Sequence, residues 1–306
     1  MKVLVTGAAG FIGRQVAAIL RDRGHDLVVL SRDPQTASAR LAVPCAIFPW
    51  RPAHAAPPAE AFRGVRAVIH LAGAGVAERR WTAARKEEIR RSRVQSTRHL
   101  VDALAALEAK PEVLVCASAI GYYGGDSGAV MREDAPPGTG FLAGVCREWE
   151  REAVRAESLG IRVVVLRLAF VIGRNGAAMN RILPVFRLGL GGPLGGGGQP
   201  MSWIHVRDAA GIVLHALETP SMQGAYNAAG PNTVSNAEFT RALAQTLNRP
   251  AFLPVPALAL KLALGEMSQL LLSNPRVSSD KILQAGYEFH YPDIKSALRE
   301  ICGPSH

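Results

Sequence analysis

Short apolar runs alternate with amphipathic stretches through the first half of the chain. Residues 2–5 form a compact apolar run that stops at Gly7, the pattern of a strand buried on both faces. Residues 11–23 carry Ile12, Val16, Ile19 and Leu20 at helical spacing, and Gly24 ends that helix. The pattern predicts a second strand at 26–30, a short third at 46–48 and a fourth at 67–71. Residues 82–109 have helical periodicity and a charged face. A fifth strand is predicted at 113–117, a helix at 148–158 and a sixth strand at 162–168. Strands alternating with helices predict an α/β chain built on a doubly wound parallel sheet with right-handed crossovers.

After about residue 174 the rhythm changes. Residues 189–198 are Gly-rich around Pro193 and read as a loop. Helical patterns follow at 207–218, 236–247 and 258–272, separated by Pro, Gly and Asn turns. The expected division is a first domain over 1–173 and a smaller, mostly helical C-terminal lobe over 174–306, with parts of the two interleaving. Residues 37–61, rich in Ala and Pro, are expected to be irregular for part of their length.

Composition narrows the class. The chain has 306 residues, 48% hydrophobic and 20% charged, which excludes a disordered polymer. No apolar run is long enough to span a bilayer, and the N-terminus lacks the pattern of a cleaved signal peptide. Four cysteines, Cys45, Cys116, Cys146 and Cys302, lie far apart with no CxxC pair, so reduced thiols, no metal and a cytoplasmic setting are expected. Net charge is 35 − 25 = +10, and only six of the 35 basic residues are Lys. Such a balance fits nucleic acid, an acidic membrane surface or a phosphorylated ligand. The basic run Arg79, Arg80, Arg85, Lys86, Arg90, Arg91 and Arg93 is interrupted by Glu87 and Glu88 and spread around a helix. That reads as a solvated face, so nucleic acid is not the expected partner, and without a spanning run neither is a membrane.

The segment Thr6-Gly7-Ala8-Ala9-Gly10-Phe11-Ile12-Gly13 follows the first strand and opens the first helix. Gly7 permits a tight turn, Gly10 lets backbone N–H groups approach a pyrophosphate, and Gly13 lets helix and sheet pack closely. The helix N-terminus adds unpaired donors for the phosphates. At the end of the second strand stand Leu30-Ser31-Arg32-Asp33. Arg32, with Ser31 and Arg14, suits a ribose 2′-phosphate and favours NADP(H) over NAD(H). The alternative is that Arg32 is a solvated loop charge and Asp33 accepts from the ribose hydroxyl.

The spacing GxxGxxG with Phe11-Ile12 resembles the extended short-chain dehydrogenase/reductases, the superfamily of sugar-nucleotide epimerases and dehydratases, whose fold is the Rossmann type. His70-Leu71-Ala72-Gly73 is similar to its HxAG segment, Ala117–Gly124 to its catalytic-Ser segment, and Arg167–Gly173 to a later R-x-x-x-V-x-G pattern. Trp203-Ile204-His205-Val206-Arg207-Asp208 is similar to a further conserved stretch. The C-terminal stretches around Gly265-Glu266-Met267 and Gly286-Tyr287 resemble an atypical subgroup known as epimerase-family proteins. The resemblance implies cofactor contacts from Thr6, Gly7, Gly10, Phe11, Ile12, Gly13, Leu71, Ala72, Gly73, Cys146 and Phe170.

It also exposes a departure. The superfamily uses a Tyr and a Lys four residues later; the corresponding positions here are Leu142 and Cys146. Leu has no proton to exchange and a thiol is no ammonium. Ser118 with Tyr122 or Tyr123 is then the candidate catalytic set, the alternative being that both tyrosines are structural. Cys146 is either a reactive thiol or a small packed residue. Arg93 stands where the superfamily has Asn and is a candidate for an anionic substrate or a structural cation. Trp81, Trp203 and His205 are further substrate candidates, with core packing as the alternative for each. The expected function is an NADP(H)-dependent oxidoreductase or epimerase-like enzyme for a small polar or anionic substrate, monomeric or homodimeric. The competing expectation is a cofactor-binding sensor without turnover.

Overall fold

The structure is a computed structural model that describes residues 1–41, 43–125 and 127–303. Strands β1 (Lys2–Thr6), β2 (Asp26–Ser31), β3 (Ala46–Pro49), β4 (Val65–His70) and β5 (Val113–Ala119) come first. They are followed by β6 (Val130–Met131), β7 (Arg162–Leu168), β8 (Phe170–Ile172), β9 (Pro200–Met201) and β10 (Trp203–His205), then β11 (Gly224–Ala228), β12 (Val234–Ser235) and β13 (Arg276–Val277). Seven of them make one parallel sheet in the order β11-β7-β5-β4-β1-β2-β3.

Alternation along the strands builds two cores. Val3 and Val5 point to one face and Leu4 to the other. The first face is covered by α1 (Phe11–Asp22) and, much later in the chain, α7 (Val206–Glu218); Val16, Leu20, Ile212 and Val213 fill it. Between these helices come α2 (Pro34–Leu41), α3 (Ala83–Arg91), α4 (Val94–Ala106), α5 (Phe141–Val154) and α6 (Ala177–Arg187). The second face is covered by α4 and α5 through Leu100, Leu104 and Trp149. A third core joins α6 to α8 (Asn236–Leu247), β10 and, at the end of the chain, α12 (Ile294–Cys302), around Met179, Trp203, Phe239 and Leu298. The short α9 (Ala257–Leu264), α10 (Gln269–Leu272) and α11 (Asp280–Gln284) complete the helical lobe.

The structure adjusts several expected elements. The stretch 82–109 is two helices, because Ser92 turns the chain: its hydroxyl donates to Ile89 O at 3.0 Å, and Arg93 (φ −109°, ψ −61°) begins anew as the cap of α4. The helix expected at 148–158 starts at Phe141, just after Gly140 at φ +95°. Within 37–61 the chain first completes α2, which Asp33 caps through Thr36 N–H at 3.1 Å with Pro34 at its first position. The last sheet strand, β11, and the covering helix α7 both come from beyond residue 174, so sheet and helical lobe interleave.

Candidate active site

The strand order reverses beside β1. The chain moves outward through β2 and β3, then returns to β4 on the other side of β1. In open α/β sheets ligands bind at such a point, outside the carboxyl ends of the strands. The glycine loop leaves β1 there, and the 71–82 loop leaves β4 there.

Gly7 (φ +72°) turns the chain so tightly that a Cβ on it would lie 2.8 Å from Leu71 C. Gly10 N–H donates to Gly7 O at 2.9 Å and Gly10 caps α1 without any side-chain bond. No acid stands in the first turn. The amides of Phe11 and Ile12 are therefore free to receive an anion, which is the fit a dinucleotide pyrophosphate requires. A Cβ on Gly13 would sit 2.7 Å from Ala8 Cα and collide with Gly7 O. The Phe11 ring packs where Gly173 and Gly176 lack side chains.

Thr6 does not face this anion site. It is fully buried, bonded to His70 Nδ1 at 2.7 Å, and its hydroxyl accepts from Ala72 N–H at 3.3 Å. His70 Nε2 reaches Thr97 Oγ1 at 3.0 Å. Burial pushes His70 down to about 4, so the ring is neutral and ties β1, β4 and α4 together. At the end of β2, the Ser31 hydroxyl donates to Asp33 O at 2.9 Å. The Asp33 carboxylate is committed to Thr36, whose bonds hold it below the usual carboxylate range. Arg32 is exposed beside it.

Behind the loops lies a buried polar network. The Ser118 hydroxyl donates to Glu150 Oε1 at 2.6 Å. Arg167 grips the same carboxylate through Nε at 3.0 Å and Nη2 at 2.9 Å. Arg167 Nη1 also donates to Tyr123 OH at 2.8 Å, and that hydroxyl donates to Asn227 Oδ1 at 2.7 Å. Asn227 N–H in turn donates to Glu133 Oε1 at 2.8 Å. Burial pushes Tyr123 up to about 12, so it keeps its proton. Tyr122 differs: its ring lies 3.5 Å from the Arg167 guanidinium carbon and it is only half-buried. Among the described residues its hydroxyl has no partner. Arg167 is a visible signal in the sequence, since a charge inside an apolar strand must be paired; Glu133 and Asn227 give no comparable sign.

Leu142 and Cys146 lie on the face of α5 that meets this strand end. A Cβ on Gly121 would sit 3.4 Å from Leu142 Cβ and 4.0 Å from Cys146 Sγ. Burial first, then Glu150, pushes the Cys146 thiol up to about 11, so it is packed and neutral. Arg93 approaches the same corner from α4. Its Nη1 donates to Ala74 O at 3.0 Å and Ile89 O at 3.3 Å, and the guanidinium lies 5.3 Å from the Trp149 ring. Among the described residues no carboxylate pairs with Arg93, and its burial lowers its pKa. Leu71, Ala72 and Gly73 run past it; a Cβ on Gly73 would lie 3.2 Å from its guanidinium carbon.

The 71–82 loop is clasped over this corner. Buried Arg85 donates to Gly75 O and pairs with Glu78 at 2.8 Å. Trp81 Nε1 donates to Val76 O at 2.8 Å and its ring meets Phe141 edge-on at 5.3 Å. From the helical lobe, Arg181 donates to Ala77 O at 2.6 Å and Glu266 pairs with Lys86.

The other substrate candidates turn inward. Trp203 is wholly buried and its indole N–H donates to Asn232 O at 2.8 Å. His205 caps α7 by accepting from Arg207 N–H at 3.3 Å, meets Glu300 Oε2 at 3.1 Å and packs on Tyr291. Burial pulls its pKa down despite Glu300. Both side chains are buried in the helical lobe. Phe170 is held beside Trp203 in the β8–β10 pair.

A switch-point crevice with a glycine loop and a helical lobe over its mouth defines a nicotinamide-dinucleotide-binding protein of Rossmann type. The sequence profile of the NAD dependent epimerase/dehydratase family matches residues 3–229, and the chain belongs to that family. A domain of unknown function, DUF1731, matches residues 255–301. The Arabidopsis thaliana chloroplastic homolog of epimerase family protein SDR39U1 is 40% identical, over 98% of this chain and 86% of its own. A crystal structure of human SDR39U1 with NADPH superposes with a TM-score of 0.89 at 34% identity, covering 98% of this chain and 99% of that one. UDP-glucuronic acid 4-epimerase from Bacillus cereus, solved with NAD, shares the fold at a TM-score of 0.79 and 19% identity, over 98% of each chain. Among the described residues no helix is long and apolar enough to cross a membrane.

Proposed function

We propose that this chain binds NADP(H) in preference to NAD(H) and uses it in oxidoreductase or epimerase-like chemistry on a small polar or anionic substrate. One observation carries the cofactor preference. The acid at the end of β2 is spent on capping α2, while Arg32 stands exposed beside it. A free carboxylate there would accept from a ribose 2′-hydroxyl and repel a 2′-phosphate; a guanidinium does the opposite. The NADPH in the human SDR39U1 structure supports the same reading.

When bound, the nicotinamide supplies the hydride chemistry. The chain's own residues do the rest. The amides at the start of α1 hold the diphosphate, and Ser31, Arg32 and Arg14 face the adenosine end. Arg93, which has no carboxylate partner among the described residues, meets an anionic group of the substrate. With Leu142 unable to exchange a proton and Tyr123 locked between Arg167 and Asn227, the proton passes through Tyr122. Calorimetric titration tests the cofactor: NADPH binds more tightly than NADH, and Arg32→Ala weakens NADPH alone by roughly tenfold or more. Equal affinity for both dinucleotides in the parent protein sinks the assignment.

A sensor without turnover is the second reading, favoured by the closed hydrogen bonding of Ser118 and Tyr123. Steady NADPH oxidation over a panel of carbonyl metabolites, abolished in Tyr122→Phe with NADPH affinity retained, decides for the enzyme. Binding without oxidation of any panel member decides for the sensor.

A further inference from the structure

Ten large hydrophobic side chains are exposed among the described residues, and seven of them lie in two stretches, 185–190 and 252–262. The stretches are neighbours in space. Leu253 N–H donates to Gly191 O at 3.2 Å, Val255 N–H to Pro193 O at 2.9 Å and Gly195 N–H to Val255 O at 2.8 Å. Leu188, Leu190 and Phe252 thus crowd one edge of the helical lobe. Helix α9 follows directly. Seven of its eight residues are Ala or Leu, yet none is buried. A helix apolar on every side is ordinarily a core helix. Here Leu258 and Leu262, one turn apart, are 67% and 71% exposed.

The charge around this face has one sign. No acid occurs from residue 174 through 207 or from 239 through 265. Arg187, Arg241, Arg249 and Lys261 are exposed along it. Arg249 Nε donates to Arg187 O at 2.9 Å, and Arg241 and Arg249 line one shallow basin with Pro193. The bordering acids are already engaged, Glu238 with Ser235 and Glu266 with Lys86.

We propose that this face docks on an anionic lipid bilayer, with Leu188, Leu190, Phe252, Leu258 and Leu262 entering the interface and the four cations meeting lipid phosphates. The occupant follows from the charge. A second copy would bring the same cations against each other across a two-fold axis. Singly protruding leucines suit a soft medium that needs no matching pocket. The lack of a spanning run, which argued against a membrane partner in the sequence, says nothing against a face that lies on the surface. The turn after α9 holds Glu266 against Lys86, so docking places the rim of the crevice at the lipid boundary.

The test is co-sedimentation of the full chain with vesicles of phosphatidylcholine alone and of phosphatidylcholine mixed with phosphatidylglycerol. Partitioning is expected to rise by roughly tenfold or more with the anionic lipid and to fall with added salt. Leu258→Ser with Leu262→Ser lowers it by about tenfold or more. Arg249→Gln and Lys261→Gln each lower it roughly fivefold. Leu283→Ser, at an exposed leucine outside the face, leaves it unchanged. Thermal unfolding of each variant, matched to the parent, shows that folding is intact. Absent binding, equal binding to both vesicles, or an equal loss in Leu283→Ser overturns the proposal. So does a dimer, or a complex with an acidic protein, that forms without lipid and is dissolved by the double leucine variant.

Discussion

His70 is polar, fully buried, and has no charged partner among the described residues. Its two nitrogens are shared between Thr6 and Thr97, and burial holds it at about 4 against an ordinary value near 6.5. The unfolded chain therefore binds a proton that the folded chain refuses. Stability from this residue is complete above about pH 6.5 and drains away as pH falls toward 4, by up to about 3 kcal/mol. Urea unfolding from about pH 7 to about pH 4.5 is expected to show that slope. His70→Asn lowers stability at neutral pH yet flattens the slope; an unchanged slope assigns it to other groups. The same scale explains what the motifs concealed. Thr6, Trp203 and His205 carry ligand chemistry on paper, and a linear sequence does not show which way a hydroxyl, an indole or an imidazole turns. The Asp33 carboxylate likewise reads as a ribose acceptor until its bonds to Thr36 are seen.

The glycine loop and α1 were the most legible elements, because backbone demands dictate glycine and leave few substitutes. Gly13→Ala is expected to drive a methyl into Gly7 O and Ala8, costing about 3 kcal/mol and abolishing cofactor binding. Calorimetry of the variant checks both; retained NADPH affinity contradicts the close approach. The buried parallel strands were nearly as clear, since each is a continuous apolar run. Strand β11 was not, and the reason is chemical. Its Asn227 side chain is buried to serve Tyr123 and the carbonyls of Met131 and Ser278, which interrupts the apolar pattern that marks a core strand. Helix α2 hid because its second half runs into the Ala- and Pro-rich stretch 37–61, while Pro34 is favourable at its first position. The paired strands β8 and β10 have three residues each, too few for a period to register.

Across the whole molecule, the helical lobe is tied to the sheet domain's crevice rim by Arg181, which donates to Ala77 O in the 71–82 loop, and by Glu266, which pairs with Lys86 on α3. These ties are short-range and partly solvated, so each is worth less than about 1 kcal/mol. Loosening both in Arg181→Met with Lys86→Met is expected to raise trypsin cleavage after Arg79 and Arg80 roughly fivefold, while the global unfolding midpoint barely moves. A parallel drop in the midpoint shows instead that the loop is part of the core. The net charge also resolves at this scale. Some of its arginines stand at the crevice, many are matched to acids, as in Arg98–Glu152 and Arg155–Asp102, and a remainder gathers around α9.

The sheet's last strand is the one whose origin matters for how the chain is made. β7 pairs with β5 on one side and with β11 on the other, and β11 ends at Ala228. During synthesis the nucleotide-binding half thus stays open at one edge until β11, ending at Ala228, has been added after β7, which ends at Leu168. Over that interval the backbone groups of β7 on its β11 side have no neighbour to bond, and Tyr123 lacks its Asn227 acceptor. A fragment cut near residue 173 carries every glycine of the phosphate loop and still ends on that raw edge, ready to pair with another chain. The cofactor crevice is thus finished only when the second half of the polypeptide has come back to close it.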